Sequence, residues 1–101
     1  MANISSALQA LYARILDGSG QSSPAQRRAA FDGVSEPELQ QLIEKVRVQA
    51  HRIVDEDVQR VLAAGFSEDQ VFELAVCAAV GKAKQQYDAA LTALAAASGK
   101  E

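Results

Sequence analysis

The chain has 101 residues, 49% of them apolar and 23% charged, with a formal net charge of -3, which is the material of one small globular domain. That balance lacks the basic stripe that counterion release requires, so neither DNA nor RNA is an expected partner. A single cysteine excludes an internal disulfide or a thiolate zinc site, and no run approaches the roughly 20 apolar residues needed to span a bilayer.

The first element is a helix over about residues 3–17, in which Ile4, Leu8, Leu11, Tyr12, Ile15 and Leu16 recur at three and four, and Gly18 stands at the C′ position. The same stretch has no basic n-region and no cleavage pattern, so it does not read as a signal peptide. With one cysteine, that places the expected protein in the reducing cytoplasm. Ser23-Pro24-Ala25-Gln26 then combines a capping serine, proline at N1 and glutamine at N3, which opens a short second helix ending near Gly33. Ser35-Glu36-Pro37-Glu38 repeats that logic, with the Ser35 hydroxyl facing the Glu38 amide in an expected capping box.

The third helix carries Leu39, Leu42, Ile43, Val46 and Ala50 on one face. Around 53–55 the pattern loses phase, and Asp55 is the expected cap of a fourth helix with Val58, Val61 and Leu62 inward and Gly65 as its stop. Ser67-Glu68-Asp69-Gln70 is a capping box that opens a long helix to about Ala97, its first-turn acids complementing the helix dipole. The expected inner face of this helix reads Phe72, Ala75, Val76, Ala79, Val80, Ala83, Tyr87, Ala90, Leu91 and Leu94, a stripe whose small residues permit close approach of another helix. About 30 residues at 1.5 Å each make a 45 Å rod, longer than so small a domain is wide. Contact with another subunit is therefore expected, the alternative being a frayed, Ala-rich end that alanine's helix propensity supports without a partner. No segment has the alternation of a β-strand.

Local catalytic signatures are absent: no phosphate-binding glycine loop, no G-x-S-x-G elbow, no H-E-x-x-H and no cysteine pair. The one concentrated polar stretch is Arg47, His51, Arg52, Asp55, Glu56, Asp57 and Arg60, at the phase slip. On a continuous helix His51 and Asp55 would share a face, an arrangement in which the carboxylate orients the imidazole. The structural alternative is a solvated ion-pair surface with the acids completing a helix N-terminus. Adjacent acids on a helix diverge, so no metal site is expected. Cys77, between Val76 and Ala78, reads as a small core hydrophobe, and Tyr12 and Tyr87 as packed rings, with Tyr87 also able to reach an intersubunit cleft.

The run from Val61 to Leu74, a helix ending in Ala64-Gly65, then Phe66, Ser67, two acids and a long Ala-rich helix, resembles the AhpD-like (alkylhydroperoxidase D and carboxymuconolactone decarboxylase) superfamily. The similarity spans roughly residues 38–94. It implies an all-α, AhpD-like multihelical protomer, a single domain over 1–101 with an N-terminal helical pair at about 3–33 and the AhpD-like core at about 35–97. It also implies a homo-oligomer, at least a dimer. The redox branch of that family carries Cys-x-x-Cys-x-x-x-His ahead of the Ala-Gly turn and an upstream glutamate. The corresponding positions here are Ala50, Ile53 and Asp57, none able to do thiol chemistry, so the resemblance implies a member without thiol peroxidase activity.

The expected function is therefore that of a small-molecule-binding or accessory homo-oligomer that needs no cofactor and no metal. The first alternative is a cofactor-free, decarboxylase-like enzyme acting on a small organic acid or lactone. In it Asp57, His51 and Glu38 would carry protons, and Arg47, Arg52 and Tyr87 would hold the ligand. The second is a helical adaptor that uses its apolar stripe to bind a different protein.

Overall fold

The computed structural model describes residues 2–99, with side chains for residues 4–99. Helix α1 spans Ala2–Asp17, α2 Pro24–Phe31, α3 Pro37–Val48, α4 Asp55–Ala63 and α5 Glu68–Ala97, with a single 3-10 turn at Ala50–Arg52 between α3 and α4. The described chain is thus all-α, with no strand among the described residues.

Local sequence explains most of the helix ends. Ser23 accepts from the Gln26 amide at 3.1 Å while Gln26 accepts from the Ser23 amide at 2.9 Å, and Ser67 and Gln70 repeat both bonds at the same distances. Gly33 and Gly65 stop α2 and α4 with φ of 90° and 109°, values that a side chain disfavours.

Two expected caps move. Pro37 sets the first turn of α3, which makes Glu36 the N-cap and puts Glu38 at the second helical position, exposed, so the Ser35–Glu38 box does not form. Gln40 takes over instead, accepting from the Ser35 amide at 2.9 Å and donating to the Gly33 carbonyl at 3.0 Å. At α4 the N-cap is Val54 rather than Asp55, and the acid that reaches back to it is Asp57, whose Oδ2 accepts from the Val54 amide at 2.9 Å. Gly18 follows α1 without the left-handed φ expected of a C′ residue.

The core collects Tyr12 and Leu16 from α1, Ala30 from α2, Leu39, Leu42 and Ile43 from α3, Val61 from α4, and Val71, Leu74, Cys77 and Ala78 from α5. Burial of each large aliphatic side chain contributes about 1.5–3 kcal/mol. Tyr12 meets Phe31 edge-on, ring centroids 5.7 Å apart. Helix α5 packs most extensively on α2 and next on α3, so the N-terminal pair and the remainder share one core.

The face of α5 that turns inward is not the expected one. Val71, Leu74, Cys77, Ala78 and Gly81 are buried, whereas Phe72 is 70% exposed and Ala79, Ala83 and Ala90 face solvent. At about 100° per residue, the buried stripe centres on roughly the opposite side of α5 from the expected one. Gly81 decides the rotation: a Cβ there would lie 1.9 Å from the Phe31 carbonyl oxygen, and only glycine lets α2 cross so closely. Beyond residue 84 every described α5 residue except Ala95 is exposed, and the helix projects from the body. The Cα radius of gyration is accordingly 15.5 Å, against about 13 Å for a compact domain of this length.

Candidate functional site

The polar residues singled out by sequence do not converge on one pocket. Where a continuous helix would pair His51 with Asp55, the chain leaves the α-helix at Val48, turns once through Ala50–Arg52 and re-enters at Asp55. That break places His51 and Arg52, both exposed, on a different element from Asp55 and Asp57. Glu38 lines a shallow cleft with Gln41, Glu44 and Arg60. Arg47 lies across Gly33 in a polar cleft with Asp32, Lys84 and Gln85, its Nη2 3.4 Å from Gln85 Oε1. Tyr87 lines an apolar groove between α1 and α5.

Asp57 is buried, 4% exposed, and its carboxylate is saturated. Beside the Val54 amide, Lys45 Nζ approaches both oxygens at 2.9 Å and Arg60 Nη1 stands 3.6 Å from Oδ1. The Val54 amide first, and then the Lys45 ammonium, hold its carboxyl below the ordinary value of 3.8. A carboxylate so engaged is a weak proton acceptor, and its chemistry is that of a clamp joining α3 to the first turn of α4. Sequence alone does not reveal Lys45 as its partner, because the pairing spans twelve residues and a helix break.

A second polar cluster forms where the α1–α2 loop crosses α5. Glu73 accepts from the Gln21 amide at 2.8 Å and the Ser22 amide at 2.7 Å, one backbone donor per oxygen. Burial alone would raise its pKa, but these two donors and the nearby Arg27 charge outweigh it and hold the carboxyl below 4.5. Arg27 itself is 5% exposed, and its one side-chain hydrogen bond among the described residues runs from Nη1 to the Ile15 carbonyl at 3.3 Å. Cys77, also buried, donates from its thiol to the same carbonyl at 3.5 Å, and burial pushes that thiol above 9.0 despite the opposing Arg27 charge. The residues share a cleft of about 170 Å³ with Arg14, Ile15, Phe72 and Val76. Separations of 51 and 52 residues tie Glu73 to the loop, and no local spacing signals them.

Both carboxylates make stability pH-dependent in the same direction. Their folded pKa values lie below the ordinary 3.8 and 4.5, so the stabilisation they add is complete above those values and is lost as pH falls through the folded ones. Urea midpoints should be flat from pH 7 to about 5.5 and then decline. A midpoint unchanged down to pH 3 would mean that neither carboxylate is held as described.

No group of three or more His, Cys, Asp or Glu side chains among the described residues is arranged to hold a metal ion, and no helix among them is long and apolar enough to cross a membrane. No family model matches the chain, and no curated protein or solved structure matches it either.

Proposed function

We propose that the chain is a cysteine-pair-lacking, AhpD-like protein that works as a homo-oligomer in a small-molecule-binding or accessory role, without thiol peroxidase activity. The observation that carries the self-association is the exposed apolar surface of α5. Tyr87, Leu91 and Leu94 are 39%, 46% and 63% exposed, and they continue a groove of about 410 Å³ in which Ile4, Leu8 and Leu11 of α1 face Val80 and Ala83. The total accessible surface is 6664 Å², against about 5,500 Å² for a folded monomer of 10.7 kDa. The excess is of the order of the roughly 800 Å² that one partner buries in a standard interface. A second copy fits the surface: the small Ala79 and Ala83 let a partner helix approach, and the flanking large side chains then fill its grooves.

Thiol chemistry gains no support from a lone cysteine that is 1% exposed with its pKa raised. The acid/base alternative gains none from Asp57, whose carboxylate is occupied, or from His51, which stands on a separate turn.

Sedimentation velocity tests the proposal. Wild-type protein at micromolar concentration should sediment as a dimer or larger, and Leu91→Glu/Leu94→Glu should dissociate it, weakening self-association about 100-fold or more, because burying the carboxylates is costly. A wild-type protein that stays monomeric would overturn the homo-oligomer and leave the stripe to a different protein. Peroxidase turnover abolished by Cys77→Ala would overturn the non-redox role.

A further inference from the structure

The cleft beside Glu73 holds a charge that the protein does not neutralise by contact. Arg27 is 5% exposed, yet among the described residues it makes no ion pair, its guanidinium has one hydrogen bond, a long one, and its Nε has no partner. A guanidinium withdrawn from water is unfavourable unless an anion or several acceptors compensate it. Glu73, which accepts from the Gln21 and Ser22 amides, supplies a field but not a contact, since no ion pair joins it to Arg27. Arg14, exposed on α1, adds a second cation to the same cleft. Two guanidiniums against one carboxylate leave room for one further negative charge.

Apart from Ser19 and the Cys77 thiol, the remaining walls are apolar: Ile15 on one side, and Phe72 and Val76 of α5 on the other. A volume of about 170 Å³ corresponds to five or six waters in the liquid, at about 30 Å³ each, which matches a single ring or a short branched chain.

We propose that this cleft is a binding site for a small monocarboxylate with a compact apolar body, its carboxylate held by Arg27 and Arg14 and its body lying against Ile15, Phe72 and Val76. Planar guanidinium donors suit a carboxylate, and the walls select against hydrated inorganic anions. The cleft shares no lining residue with the self-association groove, although Val76 of the one and Val80 of the other lie a single helical turn apart, about 6 Å. The inference rests on the Arg27 cleft and not on the oligomer proposed above.

Benzoate is the probe, with benzamide as its uncharged counterpart of the same shape and sodium chloride as the ionic control, each titrated into the full chain and followed by amide NMR. Benzoate should produce saturable shifts confined to residues 14–27 and 72–77, with benzamide about tenfold weaker or worse. Val76→Phe, which fills the apolar side of the cleft, should abolish those shifts, and Arg14→Gln should weaken benzoate several-fold without affecting benzamide. A thiol reagent gives an independent reading, because Cys77 lines the cleft and is the chain's one cysteine: benzoate should slow its labelling in proportion to occupancy. Equal effects of benzoate and benzamide would overturn the proposal, as would shifts confined to surface lysines or displacement by an equal concentration of chloride. Should Val76→Phe fail to fold, the Arg14→Gln comparison decides the matter alone.

Discussion

Replacing Asp57 by alanine is expected to lower the thermal midpoint by about 10 °C, a large change for a domain of this size. Two groups lose their acceptor at once, the Val54 amide at the start of α4 and the Lys45 ammonium on α3, and the Arg60 guanidinium, which keeps its hydrogen bond to Gln41, loses an ion-pair partner. Surface ion pairs contribute little, because water and side-chain entropy offset the attraction, but here the carboxylate is 5% exposed and the lysine 30%. Removing one member of a buried pair leaves the other desolvated without compensation. Asp57→Asn separates the contributions, since its amide oxygen still accepts from Val54 while the charge is gone, and it should lose about half as much. The gap between wild type and Asp57→Asn should close as pH falls through the depressed carboxyl value. Differential scanning calorimetry at pH 7 and at a series of pH values below 3.8 measures both, and an alanine variant as stable as wild type would show that the clamp contributes nothing net.

Gly81→Ala is expected to destabilise the fold by about 1 kcal/mol net, although helix propensity by itself favours the change. Alanine is better than glycine in a helix interior by about 1 kcal/mol. Against this, the added methyl would sit 1.9 Å from the Phe31 carbonyl oxygen and 2.7 Å from its carbon, both backbone atoms that no rotamer change can move aside. Helix α2 must then retreat from its most extensive contact, and overpacking of that kind costs about 1–3 kcal/mol, occasionally more. The steric cost outweighs the propensity gain. Gly81→Val should lose more still, its β-branch adding bulk at the crossing without alanine's propensity gain. Urea unfolding followed by circular dichroism provides the measurement, and a stabilised Gly81→Ala would mean that α2 and α5 cross less closely than described.

Sequence by itself determines whatever one stretch of chain settles within a few residues. The two Ser/Gln capping boxes, the glycine stops at 33 and 65 and the end of the long helix at Ala97 all rest on contacts between residues at most five apart, or on the conformational freedom of a single glycine, whereas the loss of phase around 53–55 leaves one kinked rod and two separate helices both open. The all-helical character arises from the same signals, as does the burial of Leu39, Leu42, Ile43 and Val61. Even at this range competition intervenes: Pro37 takes the first helical position and displaces the expected Ser35 cap, and Asp57 rather than Asp55 closes the start of α4.

Tertiary structure alone decides which side of α5 faces inward. Both candidate stripes are apolar and both keep helical spacing, so periodicity does not separate them; the absence of a Cβ at Gly81, opposite the Phe31 carbonyl, does. The same holds for the polar sites. Asp57 stands out through its place in the chain, but its character as a clamp depends on Lys45 across a helix break, and the Arg27–Glu73 cleft depends on a loop some fifty residues from the helix that binds it. Hydrogen bonds and charges act through space over a few ångströms, so a pairing between distant segments leaves no spacing in the sequence from which to read it.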